Sequence, residues 1–167
     1  FDRSWRDEPH EKAGDPPAPS RIPVLSAPGD VRIQSFLSTQ VNVNSMGLNI
    51  VGDAANEPSL TVDPTNPWRI AVGWRQFDSV ASNFRQAGYA YTVDGGSSWI
   101  FPGKLTPGTF RSDPVLATTA SGVFHYNSLL NTFYTDEFRS LNQGQTWTLL
   151  GPATGGDKQW ITIDKTT

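Results

Sequence analysis

Cysteine is absent from all 167 residues, which excludes disulfides and thiolate chemistry. Histidine is nearly absent: His10 and His125 stand far apart and match no metal-ligand spacing, so neither a metal nor a cofactor site is expected. No apolar run approaches the roughly 20 residues that span a bilayer as a helix, so the chain is not expected to cross a membrane. A formal net charge of −3 leaves no basic footprint for nucleic acid, and no run of like charge suggests a membrane surface. Helix signals are missing too, since no segment carries an apolar stripe at helical spacing over three turns. The only methionine is Met46, so Phe1 is not a translation start. The expectation is an exported protein, extracellular or periplasmic, whose signal peptide has been removed, or a piece of a longer chain.

Turn formers and aromatics fill the space these absences leave. Fifteen Gly, thirteen Pro, nine Phe and six Trp, with 37% hydrophobic residues, fit a β protein with a real core. Residues 1–30 stand apart, with six of the thirteen Pro and ten charged residues of mixed sign. They read as an extended arm or linker, docked only where Trp5 or the "IPVL" run finds a neighbour. From Val31 onward short β-type runs alternate with Gly, Pro, Asn and Asp clusters: "VRIQSFLSTQVNVN", "SLTVD", "RIAVGW", "AGYAYTV", "PVLATT", "GVFHYNSLL", "TWTLL", "WITID". The segment "VGDAANEP", Val51 to Pro58, reads as a turn without phosphate-loop spacing.

The runs repeat. "TVDGGSSW", ending at Trp99, returns as "SLNQGQTW", ending at Trp147, 48 residues on. Ahead of each lies a second echo, "EPSLTVD" from Glu57 and "DPVLATT" from Asp113, and "KQWITID" from Lys158 makes a third, at offsets of 56 and 45. Each unit therefore runs acid-Pro strand, turn, strand, loop, strand, box, strand. Four short strands in about 40–55 residues is the size of one β-propeller blade.

The boxes resemble the Asp-box, or bacterial neuraminidase repeat, of sialidase-like β-propellers, whose pattern is Ser/Thr-x-Asp-x-Gly-x-Thr-Trp. Thr92, Asp94, Gly96, Ser98 and Trp99 match it in the first copy, and Ser140, Asn142, Gly144, Thr146 and Trp147 in the second. Ser98 and Asn142 are mild departures. The resemblance covers about residues 31–167 and implies an all-β fold of four-stranded antiparallel blades. It divides the chain into a ring-closing strand within 31–51, a first blade at 57–101, a second at 113–150 and the start of a third at 157–167. Two units and a beginning fall short of the 4–8 blades of a closed ring, so further blades, in the same or a cleaved chain, are the expected partners.

The box itself has the chemistry of a tight turn. Asp94 or Asn142 accepts backbone N–H bonds, Gly96 and Gly144 supply positive φ, and Trp99 and Trp147 bury their faces between sheets. One carboxylate per turn is too few oxygens for Ca²⁺. In the resembling family the box faces away from the ligand, so function is sought among the loops at the other end. There Glu57 joins Arg75, Asp78, Arg85, Arg111, Asp113, Asp157 and Lys158. They form a polar face for a carbohydrate-like or anionic ligand, with Arg forks on carboxylates, or else charges paired with one another across neighbouring units. No catalytic residue is assigned. The resemblance implies that a sialidase needs an Arg triad, a Tyr–Glu nucleophile pair and an Asp acid/base. Arg21 in "SRIPVL" follows Ser20, where that family has an aromatic, and is read as part of the arm. His125 is read as packed or superficial. Three functions follow as expectations: a propeller that binds a glycan or protein or acts as a scaffold subunit, the N-terminal part of a sialidase-like glycoside hydrolase, or a structural subunit of a cell-surface complex tied in by its arm.

Overall fold

In a computed structural model, residues 38–165 are described; the arm, Arg21 and the stretch from Val31 to Leu37 lie outside them. Among the described residues there is no helix, and hence none long and apolar enough to cross a membrane. Eight strands form two four-stranded antiparallel sheets. The first sheet runs β1 (Ala54–Val62), β2 (Ile70–Phe77), β3 (Gln86–Thr92), β4 (Ile100–Leu105). The second runs β5 (Ser112–Thr118), β6 (Phe124–Leu129), β7 (Thr135–Ser140), β8 (Thr148–Ala153). Each sheet is a simple meander in which every strand pairs with its sequence neighbour.

The two sheets share one plan down to their irregularities. Register slips between Asn56 and Ser59 in β1, and between Ser112 and Val115 in β5. In each case two residues, Glu57–Pro58 or Asp113–Pro114, stand opposite one residue of the next strand, which is a β-bulge. Proline, lacking an N–H, is tolerated where the ladder is already interrupted. The left-handed backbone recurs as well, with φ of 50° at Glu57 and 48° at Asp113.

The sheets pack face to face with their first strands side by side. Ser59 Oγ accepts the Leu116 N–H at 3.0 Å, and Thr118 Oγ1 donates to the Val62 carbonyl at 3.1 Å. The second sheet presents Leu116, Tyr126 and Phe138, and the first receives them on Ala71, Ala87 and Leu105. At Gly73 the approach is so close that a Cβ would lie 2.4 Å from the Tyr126 ring. The Tyr126 hydroxyl ends on the Gly88 carbonyl at 3.2 Å, which satisfies a fully buried phenol.

The register equates Leu60 and Val72 of the first sheet with Leu116 and Tyr126 of the second. The face carrying Leu60 and Val72 is the one turned away from the second sheet. Val72, Trp74 and Ala90 form a second apolar cluster there, with Val41, Trp99 and Phe101 packed against it. Leu60 remains 54% and Val62 38% exposed.

One expectation needs correction, the reading of "VGDAANEP" as a turn, and the segments before β1 and after β8 join no ladder among the described residues. The run read as a strand up to Asn44 has, within its described part, only an isolated bridge between Val43 and Asn49. Asn44 Oδ1 closes that short turn by accepting the Met46 and Leu48 N–H groups, and Val41 packs on the outer cluster instead of joining a ladder. Alternation alone does not make a strand without a neighbour to pair with. "VGDAANEP" is not all turn: β1 already begins at Ala54, and the bulge at Glu57–Pro58 masks its period. The "KQWITID" segment joins no ladder among the described residues.

Candidate functional site

Register fixes which groups share an end of the sheets. Val62 pairs with Ile70 and Ile70 with Thr92, so the first box lies where β1 finishes. Phe124, opposite both Thr118 and Ser140, puts the second box at the corresponding end of its sheet. Asn56, Arg75, Ala87 and Leu105 align at the other end, as do Ser112, Leu129, Thr135 and Ala153. Glu57 and Asp113 stand there, opposite the boxes.

The boxes are turns closed by their own side chains, with Trp147 Nε1 of the second buried without a hydrogen-bond partner. In the first, Thr92 Oγ1 donates to Asp94 Oδ1 at 2.6 Å and accepts the Gly96 N–H. Asp94 Oδ1 also accepts the Ser98 N–H, while Oδ2 accepts the Ser98 hydroxyl at 2.6 Å. Bonds from the Ser98 and Thr92 side chains hold the Asp94 carboxyl down at about 2. In the second, Ser140 and Asn142 repeat the pattern, with Thr146 N–H on Asn142 Oδ1 at 3.0 Å and Gly144 N–H on Ser140 Oγ at 2.9 Å. The tryptophans diverge. Trp147 lies edge-on to Tyr89 and Tyr126, between the sheets. Trp99 packs on the outer cluster of the first sheet, because the second sheet covers the opposite face.

At the other end Glu57, Arg75, Asp113 and Lys158 come together. Arg75 is buried, donating from Nε to Asn56 Oδ1 at 2.8 Å and pairing through Nη2 with Glu57 Oε1 at 2.8 Å. Burial pushes the Glu57 carboxyl up; Arg75 opposes this, Asp113 adds to it and Lys158 opposes it. Ser112 donates its hydroxyl to Asp113 Oδ1 at 2.6 Å, and the Gln159 amide donates to the Asp113 carbonyl. Gln159 Oε1 is buried without a hydrogen-bond partner, and the Glu57 carboxyl has that of Asp113 as a side-chain hydrogen-bonding neighbour. Both acids sit on a left-handed backbone that non-glycine residues adopt at a cost of about 1–3 kcal/mol, a strain that concentrates at functional positions.

The other sequence-selected residues are engaged elsewhere. Asp78 is bound by Lys104 and by Gln86 Nε2 at 2.9 Å, contacts that lower its pKa, with Lys104 contributing most. Arg85 offers its carbonyl to the Arg111 N–H at 2.9 Å. Arg111 is sealed between the sheets with its side chain 3% exposed, over the Phe138 ring, bonded to Thr106 and paired with Asp136 at 2.7 Å. Asp157 is exposed. Arg forks awaiting an anion are therefore not what this end presents: Arg75 and Arg111 already have carboxylates. Lysine and arginine spacing in the sequence gives no sign of those pairings, since Asp136 lies 25 residues from Arg111.

Sequence reasoning also passed over Asn56, Gln159 and Asp63. Asp63 is a buried carboxylate ending β1, accepting the Thr65 N–H and hydroxyl and facing Arg69 at 3.5 Å. Its Asp-Pro context was the available signal for such a turn. His125 pairs with Glu137 at 2.9 Å on the outer face of the second sheet.

Tyr126 is wholly buried, its pKa raised by that burial, and among the described residues no group of three or more His, Asp or Glu side chains is disposed to hold a metal. What this end brings together is a carboxyl pair, Glu57 and Asp113, beside Arg75 and Lys158. A scan against protein-family models and a search of curated proteins both found no match to the chain.

Proposed function

We propose that this chain is part of a sialidase-like β-propeller that works as a binding or scaffold module, with its ligand face at the strand-start end. The observation that carries the reading is the adjacency of equivalent first strands, which gathers positions 57, 113 and 158 of three successive repeats. The sheets also pack head to tail: the face by which the second sheet docks has its counterpart on the outer face of the first, where Leu60 and Val62 are part exposed. Such heterologous packing generates a ring when its rotation closes, and a ring of four-stranded meanders is a propeller. Further units of the same kind, packing on Leu60 and Val62, complete it in this reading. The test is a glycan array probed with the whole chain, alongside a fluorogenic sialoside. Retention of glycans without turnover is expected. Release of the fluorophore would replace the binding module with a hydrolase.

A further inference from the structure

We propose that one proton, shared between the Glu57 and Asp113 carboxyls, clasps the first strands of the two sheets together at the strand-start end and makes that seam sensitive to pH. The two acids occupy the same place in consecutive repeats. Each precedes the proline of a β-bulge, and each has a left-handed backbone, with φ of 50° and 48°. β1 and β5 lie side by side just beyond them, where Ser59 Oγ accepts the Leu116 N–H at 3.0 Å. Equivalent carboxyls are thereby set against one another across the seam between the units.

Hydrogen bonds around the pair leave one place for a proton. Glu57 Oε1 takes Arg75 Nη2 at 2.8 Å, and Asp113 Oδ1 takes the Ser112 hydroxyl at 2.6 Å. Among the described residues no N–H or hydroxyl donates to the buried Glu57 Oε2, and the Glu57 carboxyl has that of Asp113 as its hydrogen-bonding neighbour. Ionised carboxylates only accept, so two of them in contact repel, whereas a single proton turns one into a donor.

The charged groups that face Glu57 are Arg75 on β2, Asp113 on β5 and Lys158 in the segment after β8. Burial is the main cause that raises the Glu57 carboxyl and Asp113 adds to it, while Arg75 and Lys158 hold it back. A carboxyl whose folded pKa stands above its unfolded value lends stability that is complete below the unfolded value. That stability is lost as pH rises through the folded value. The proton then leaves to solvent, two like charges remain at the contact, and the seam loosens.

Urea unfolding of the whole chain between about pH 5 and pH 8 tests the clasp, because unperturbed carboxyls are already ionised there. The midpoint is expected to fall as pH rises. Histidine is the other side chain that changes charge in this window, and the chain has two, His10 and His125. The fall should persist when both are replaced by Gln, and should vanish in Asp113→Asn, whose amide gives Glu57 a permanent donor. Asparagine suits a left-handed backbone, and the readout is the pH slope and not the absolute midpoint. Carbon-13 NMR of the glutamate carboxyls gives a second reading that needs no unfolding. One signal, absent from Glu57→Gln, should titrate above the ordinary glutamate range and move down in Asp113→Asn. A midpoint flat across the window, a fall that disappears with the histidines, or a Glu57 signal indifferent to Asp113→Asn would overturn the clasp.

Discussion

In the turn from Thr92 to Trp99 the central acceptor is a carboxylate, and in the turn from Ser140 to Trp147 it is an amide, yet both hold the same backbone. Ser98 N–H reaches Asp94 Oδ1 at 3.0 Å, and Thr146 N–H reaches Asn142 Oδ1 at 3.0 Å. Only the last bond differs in sense. Ser98 donates its hydroxyl to Asp94, whereas Asn142 Nδ2 donates to the Thr146 hydroxyl at 2.9 Å. The turn thus requires one acceptor oxygen two residues after a hydroxyl, a place that an amide fills as a carboxylate does. Burial is where the two units part. A Cβ on Gly144 would meet Ala71 of the other sheet at 3.0 Å, while one on Gly96 would meet nothing nearer than its own Trp99 at 3.6 Å. The same turn is an interface element in one unit and a free end in the other.

The sharpest way to break that contrast is to remove the tryptophan from each box. Trp147→Ala takes away a ring wedged between Tyr89 and Tyr126 and should cost about 4 kcal/mol, within the range for large aromatic truncations. Trp99→Ala opens a face that is already part exposed and should cost about 2 kcal/mol. Urea unfolding midpoints of the two variants measure the difference. Equal losses would mean that the outer face of the first sheet is covered as well as the inner one, and the head-to-tail asymmetry would be gone.

A smaller effect separates the second strands of the two sheets. Ser59 pairs with Gly73, and its counterpart Val115 pairs with Asn127. Gly73 is small because the Tyr126 ring and Leu116 occupy the space its side chain would take. Asn127 faces the other way, donating to Thr135 Oγ1 and Glu137 Oε2. Gly73→Ala should destabilise by about 2 kcal/mol through overpacking, and Asn127→Ala by about 1 kcal/mol through lost hydrogen bonds. If Gly73→Ala proved neutral, the sheets would be less closely seated at this point than the Tyr126 contact implies.

Legibility followed the same division. The all-β character and the four-strand period were readable because alternation, turn residues and the Trp-ended boxes are local signals. The bulges at Glu57 and Asp113 were half-visible, as acid-Pro pairs, but nothing in one dimension gave their shared left-handed φ. The charged face was read two ways, as Arg forks for a ligand or as charges paired with one another. Composition counts Arg75 and Arg111 as open cations, and only the fold brings Glu57 and Asp136 to them. Gln159 was invisible because an amide in a polar segment has no pattern until a carbonyl is set against it.

The subtlest prediction returns to the boxes and turns on protons. The Asp94 carboxyl sits at about 2 in the folded chain, against about 3.9 for an unperturbed aspartate. A depressed folded pKa means that its contribution is complete above the unfolded value and lost as pH falls through the folded one. The wild-type chain should therefore exceed Asp94→Asn in stability at pH 7, with the gap narrowing below about pH 4 and closing near pH 2. Asn142→Asp should install the same acid sensitivity in the second box, because the Thr146 hydroxyl needs only to rotate from acceptor to donor. Thermal melts of the three chains between pH 2 and pH 7 read this directly. A gap between wild type and Asp94→Asn that stayed constant with pH would place the Asp94 carboxylate outside the turn's hydrogen bonds, and the likeness of the two boxes would then be one of sequence alone.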